Sequence, residues 1–146
     1  MTNPEFHRDD PIRMVIDTSA LLAILLDEPE RVRFTGLIEA DPRRLVSAAS
    51  LLEASMVLEG RLGSGAGGDL DLFLHRASVE TVPFEGQQLV LARTAFRRYG
   101  KGRHAAGLNF GDCIAYALSR WTGEPLLFKG ADFAATDARA ATSESE

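Results

Sequence analysis

Short apolar runs alternate along this chain with longer stretches in which apolar residues recur every three or four positions. The first run, IRMVID at 12–17, leads into a helical pattern from about Ser19. A charged helical stretch at 28–40 (EPERVRFTGLIEA) precedes a brief apolar run at Leu45 and Val46. Residues 47–61 again carry helical spacing, and GSGAGG at 63–68 marks a turn before DLDLFLHRA at 69–77. β-Branching and alternation predict a strand over VETVPF at 79–84. Leu89, Ala92 and Phe96 mark the apolar stripe of an amphipathic helix over 85–99. A glycine-containing loop, a helix in NFGDCIAYALSRW at 109–121 and a buried strand in PLLFK at 125–129 complete the pattern. Apolar strands separated by helices predict an α/β fold in three layers, with a central parallel sheet of four to five strands flanked by helices and right-handed crossovers. Residues 1–13 are polar, contain two prolines and are expected to form a flexible N-terminal extension. The tail at 142–146 is expected to be disordered, which leaves one domain at 14–141.

Composition narrows the function classes. A chain of 146 residues, 45% hydrophobic and 25% charged, is long enough to bury a sizeable core. Cys113 is the single cysteine, so no internal disulfide can form, and without a Cys/His cluster a reducing, cytoplasmic setting is expected. The apolar stretch at 14–26 is too short to span a bilayer and carries Asp17 in its middle, which excludes a membrane helix or a secretory signal there. A net charge of −5 argues against holding nucleic acid by a bulk positive field. The run RTAFRRYGKGRH at 93–104 is locally basic, and Arg97, Arg98, Lys101 and Arg103 are candidate RNA contacts as well as ordinary surface residues.

Asp17 is the residue hardest to place. Its neighbours are apolar and the nearest basic residue is Arg13, four positions back along a strand, yet an ionised carboxylate taken out of water costs several kcal/mol or more unless something pairs with it. In parallel sheets the reactive crevice lies at the carboxyl ends of the strands, and Asp17 closes the first strand. Glu53, Asp112 and Asp132 are further acids at helix starts or strand ends. Each has an ordinary explanation: Asp17 as a helix cap, Ser50 with Glu53 as a capping box, Asn109 with Asp112 as a looser one, and Asp132 as a turn residue. Their convergence on one sheet edge is the stronger signal. Gathered carboxylates tolerate one another near neutral pH when a divalent cation sits among them, and oxygen ligands favour Mg²⁺ or Mn²⁺. Such an ion supports phosphodiester hydrolysis.

DTSAL at 17–21, the Glu53 helix, LNFGDCIAYAL at 108–118 and PLLFKGADFAATD at 125–137 together resemble the PIN domain, and within it the VapC ribonuclease toxins of bacterial toxin–antitoxin pairs. The resemblance runs in order over 14–137. It implies a Mg²⁺- or Mn²⁺-dependent endoribonuclease, a homodimer, and a toxin–antitoxin hetero-oligomer with a cognate VapB-type antitoxin. Asp17, Glu53, Asp112 and Asp132 match the family's acidic quartet, with Asp17 and Asp112 as metal ligands. Thr136 matches a supporting hydroxyl, and Thr18 and Ser19 stand where they could do likewise. The apolar positions between Leu51 and Leu74, including Leu52, Met56, Leu70 and Phe73, are expected to divide between the core and a groove for a partner helix. Two other classes remain. A signalling receiver domain also carries acids at strand ends and would use a late lysine, for which Lys129 is the candidate; a non-cleaving PIN-like RNA-binding module would keep the fold without the chemistry. Cys113 and Tyr116 are expected to pack in the core, and His104 to lie in a solvated loop.

Overall fold

Successive residues of a strand point to opposite faces, and in the strand Arg13–Ile16 (β1) both faces are buried. The computed structural model describes residues 13–141. Arg43–Ser47 (β2), Val79–Val82 (β3) and Leu126–Leu127 (β4) join β1 in a parallel sheet of order β3-β2-β1-β4. Val15, Leu45, Val82 and Leu126 face one side and Met14, Ile16, Val46 and Leu127 the other, so the sheet separates two apolar clusters. Thr18–Leu25 (α1), Arg31–Ala40 (α2), Ala48–Leu62 (α3) and Ala66–Arg76 (α4) cover the second cluster. Gly86–Tyr99 (α5) and Phe110–Thr122 (α6) cover the first, giving the three layers that the alternation predicts. At roughly 25 cal/mol for each Å² of apolar surface removed from water, burying these two clusters is the dominant favourable contribution to the fold.

Among the described residues the sheet extends beyond β4 by a single parallel bridge between Leu126 and Ala140. The predicted extension and tail lie outside the described residues except for Arg13. That residue is fully buried as the first of β1, in register with Arg43.

Three local expectations are corrected. Ala66–Gly68, read as part of a turn, already belong to α4, where Asp69 in the first turn suits the helix dipole. The cap of α3 is Ser47, whose side chain accepts from the Ala49 N–H; Ser50 is buried within the helix, so Ser50 and Glu53 form no capping box. Finally, α5 turns Gln88, Ala92, Ala95 and Tyr99 inward, with the Gln88 amide donating to Pro83 O at 2.8 Å. Leu89 and Phe96, at 47% and 40% exposure, instead line an open apolar groove with Phe84, Phe110 and Ile114. Small alanines at the contact face let α5 approach α6 closely, which displaces the larger side chains outward.

Candidate active site

Asp17 ends β1 and caps α1. Its backbone is extended, with φ −78° and ψ 157°, and its Oδ2 accepts from the Ser19 N–H at 3.0 Å and the Ser19 hydroxyl at 2.5 Å. That hydroxyl in turn accepts from the Lys129 backbone N–H at 2.9 Å, which ties the end of β4 to the start of α1. The Thr18 hydroxyl donates to Ser50 O at 3.2 Å and joins α1 to α3. Thr18 and Ser19 therefore brace the ground on which Asp17 stands. Oδ1 of Asp17 is buried and has no hydrogen-bond partner among the described residues. Burial pushes this carboxyl up to about 7; the Ser19 bonds oppose the rise, and the charges of Asp112 and Glu53 add to it.

Asp112 occupies the first turn of α6, where the capping box that the sequence suggests is complete. Asn109 Oδ1 accepts from the Asp112 N–H at 2.9 Å, and Asp112 Oδ2 accepts from the Asn109 N–H at 3.0 Å. Burial raises the Asp112 pKa, the bond from Asn109 lowers it, and the charges of Asp132 and Glu53 raise it further. A hydrogen bond shared with the Asp132 carboxyl acts in the same direction. Asp17 thus senses Asp112 and Glu53, and Asp112 senses Asp132 and Glu53: the structure brings the four predicted acids to one edge. Glu53 reaches across from α3 and lays its carboxylate on Gly111 of α6, so that a Cβ at Gly111 would stand 2.3 Å from Oε1. Asp132 is exposed just before the 3₁₀ turn Phe133–Ala135 and caps nothing with its side chain.

Magnitudes decide what this arrangement requires. A helix N-terminus stabilises a nearby carboxylate by roughly 0.3–1 kcal/mol. Burial is the largest cause of both shifts and outweighs the capping bonds from Ser19 and Asn109, and the neighbouring carboxylates add to the rise. A hard divalent ion fits the bare, buried Oδ1 of Asp17 beside Asp112. Among the described residues no three acid, histidine or cysteine side chains close into a ready-made cage. Mg²⁺ does not need one, because it is commonly held by one or two carboxylates and keeps several waters.

The remaining candidates divide. The Thr136 hydroxyl donates to Phe133 O at 2.7 Å and accepts from the Ala138 N–H at 3.1 Å, so it shapes the loop that carries Asp132 and touches none of the acids. Arg97 donates to the Thr94 hydroxyl, Arg98 stacks on Tyr99 and lies 3.9 Å from Asp137, Arg103 stacks on Phe96, and Lys101 is exposed. The Lys129 ammonium pairs with Glu28 at 2.8 Å and Glu30 at 3.5 Å. The lysine a receiver domain would need is therefore committed elsewhere. Cys113 is buried in the core, and burial followed by the Asp112 charge pushes its thiol up to about 11. Tyr116 is also buried and donates to Asp137 at 2.6 Å; burial and that bond raise its pKa. His104 Nδ1 accepts from the Ala106 N–H at 2.9 Å and its ring meets the Tyr99 edge, which makes it a brace for its loop. Of the groove positions, Leu52 and Met56 are 63% and 66% exposed on α3, Leu70 is core, and Phe73 packs half-buried against the core. The role of Gly111 escapes the sequence, because nothing local links it to Glu53.

An acid cluster at the carboxyl edge of a parallel sheet, wrapped by helices in this order, defines a PIN domain, and the chain belongs to that family: the PIN domain profile matches residues 14–139. Within it the chain groups with the VapC ribonucleases. It is 56% identical over 124 residues to Ribonuclease VapC30 of Mycobacterium tuberculosis, covering 85% of this chain and 95% of the relative. To Ribonuclease VapC of Mycolicibacterium smegmatis it is 56% identical over 127 residues, covering 87% and 98%. The fold matches crystal structures of the sarcin–ricin loop cleaving toxin VapC20 of M. tuberculosis, with a TM-score of 0.71 at 19% identity over 86% of this chain and 95% of that one. It also matches VapBC2 of Rickettsia felis bound to promoter DNA, with a TM-score of 0.68 at 14% identity over 88% and 96%.

Proposed function

We propose that this chain is an endoribonuclease toxin that depends on Mg²⁺ or Mn²⁺ and is silenced by a cognate VapB-type antitoxin. The observation that carries the reading is Asp17: a buried carboxylate, held through one oxygen and bare at the other among the described residues, with three further acids near it. Asp17 and Asp112 hold the ion, and Glu53 and Asp132 complete its surroundings. When bound, the ion supplies a nucleophile from water at neutral pH and balances the charge that builds on the scissile phosphate. Ser19 holds Asp17 Oδ2 and leaves Oδ1 as the oxygen available to the ion. The Asn109 capping box fixes the rotamer of Asp112 in the same way. Arg97, Lys101 and Arg103 offer charge to the RNA backbone, and Arg98 shares its charge with Asp137.

The same crevice suits an inhibitor. A guanidinium pairs carboxylates bidentately and keeps its charge, so an antitoxin Arg can take the place of the ion, with its helix lying over Leu52 and Met56 of α3. Toxin–antitoxin complexes are known for relatives of this fold, the R. felis VapBC2 structure among them. A homodimer, a hetero-oligomer with the antitoxin and a cytoplasmic setting belong to this reading; among the described residues no helix is long and apolar enough to cross a membrane. The test is incubation of the purified protein with RNA and Mn²⁺, beside EDTA and an Asp17→Asn control. Metal-dependent cleavage that the variant lacks is expected. Cleavage that persists in EDTA or in Asp17→Asn overturns the proposal.

A further inference from the structure

Gly111 lies in the first turn of α6, between the exposed Phe110 and Asp112. Glycine is a poor choice inside a helix, since alanine stabilises the helical backbone better. Nothing in the backbone at 111 demands it, because Gly111 is absent from the glycines with positive φ. What demands glycine is a side chain from another element. A Cβ at 111 would meet Glu53 Oε1 at 2.3 Å, Oε2 at 2.5 Å and Cδ at 2.7 Å. The whole carboxylate of Glu53, not one oxygen, occupies the space a methyl group would fill.

The geometry has a direction. Glu53 is half-buried on α3, with no capping box to hold it and a flexible stem that could carry its carboxylate elsewhere. The bare Cα of Gly111 is the floor that lets it lie against the start of α6, beside Asp112, and its charge reaches both Asp112 and Asp17. At the α6 N-terminus a carboxylate also meets the positive end of the helix dipole. The capping box of Asn109 and Asp112 secures the first turn that a glycine would otherwise loosen.

We propose that Gly111 is a positioning residue: its missing side chain seats the Glu53 carboxylate at the acid cluster, and any larger residue expels it. The inference rests on the ribonuclease reading for its effect on cleavage, although the displacement itself does not. Glu53 is the yielding partner because the overlap falls on the far end of a flexible side chain. Gly111→Ala should therefore fold, with Glu53 swung away from Asp17 and Asp112.

The experiment is a double-mutant cycle of Gly111→Ala and Glu53→Ala, read in two ways: thermal melting of the metal-free proteins and steady-state cleavage of RNA with Mn²⁺. In the wild-type background Gly111→Ala should lower kcat by about a hundredfold, as expected for a reacting group moved by an ångström or more, with KM changed little. In the Glu53→Ala background the same substitution should cost cleavage nothing further and should raise the melting midpoint, because the methyl group then fills free space in a helix. Glu53→Asp, one methylene shorter, should recover part of the kcat lost in Gly111→Ala. Equal losses of kcat in both Glu53 backgrounds, or none in either, would overturn the proposal. Should Gly111→Ala fail to fold, recovery of folding in the double variant supports the overlap, and failure there overturns it. If no variant and not even the wild type cleaves RNA, the ribonuclease reading falls, and the coupling of melting midpoints still decides whether Gly111 and Glu53 compete for one space.

Discussion

Two aspartates of this protein stand in opposite circumstances. Asp137 accepts a hydrogen bond from Tyr116 and lies 3.5 Å from Arg120 and 3.9 Å from Arg98. Asp17 is almost fully buried, keeps one oxygen bare and has acids for neighbours. The first site is complete within the protein, so its acid holds structure together. The second is not completed by any described residue, and its burial and like-charged neighbours leave the carboxylate costly to ionise. A carboxylate's role is thus legible in what the fold withholds from it as much as in what it provides.

The largest effect should come from neutralising one member of each kind. Asp17→Asn or Asp112→Asn should lower RNA cleavage by roughly 10²- to 10⁴-fold while circular dichroism shows an intact fold. Asp137→Ala should leave cleavage within a few-fold and instead destabilise the protein by about 1–3 kcal/mol, because the buried Tyr116 hydroxyl loses its acceptor. If the two classes of variant swapped symptoms, the contrast drawn here would collapse.

The pH dependence of the metal-free protein sharpens the same point. The folded-state pKa of Asp17, about 7, lies above its ordinary value of 3.8, so the folded state binds the proton more tightly than the unfolded chain does. This contribution is full below about pH 4 and is lost as pH rises through about 7, by about 4 kcal/mol at most. Melts in EDTA across that window should show stability falling less steeply in Asp17→Asn than in wild type; superimposable curves would remove Asp17 from the strained set.

At neutral pH, millimolar Mn²⁺ should then restore what deprotonation removes. A ligand at a hundred times its dissociation constant contributes about 2.7 kcal/mol, which raises the melting midpoint by several degrees. The gain should vanish in Asp17→Asn and survive in Asp137→Ala. Equal gains in all three proteins would mean that the ion binds elsewhere.

The smallest effect tests orientation. Asn109→Ala removes half of the α6 capping box and should cost about 1 kcal/mol of stability. It should lower cleavage several-fold by freeing Asp112, and a loss of stability with unchanged cleavage would show that the box serves the helix alone.

The acids were legible in the sequence because each broke a local pattern: Asp17 inside an apolar run, Asp112 inside a helical stripe, Asp132 after a buried strand. The parallel sheet and three layers followed from periodicity, which depends on backbone geometry that every strand and helix shares, whereas the strand order did not. What stayed hidden depended on contacts between elements. Ser47 and Ser50 are both plausible caps three positions apart, and only the end of β2 selects the first. The stripe of Leu89 and Phe96 has the spacing of a core face, but the close packing of Ala92 and Ala95 on α6 claims that role. The seat of Glu53 on Gly111 joins residues with no shared local pattern.

The bond from Lys129 N–H to the Ser19 hydroxyl carries one more consequence, this time for synthesis. It joins positions 110 apart in sequence, beside the pairing of β1 with β4, and so closes nearly the longest loop in the domain. Contacts of such separation form late, because the intervening chain must be ordered before they can be made. Asp112 and Asp132 also leave the ribosome long after Asp17. A nascent chain therefore carries its acids apart for most of its translation, and the acid cluster closes only when the last strand is laid down.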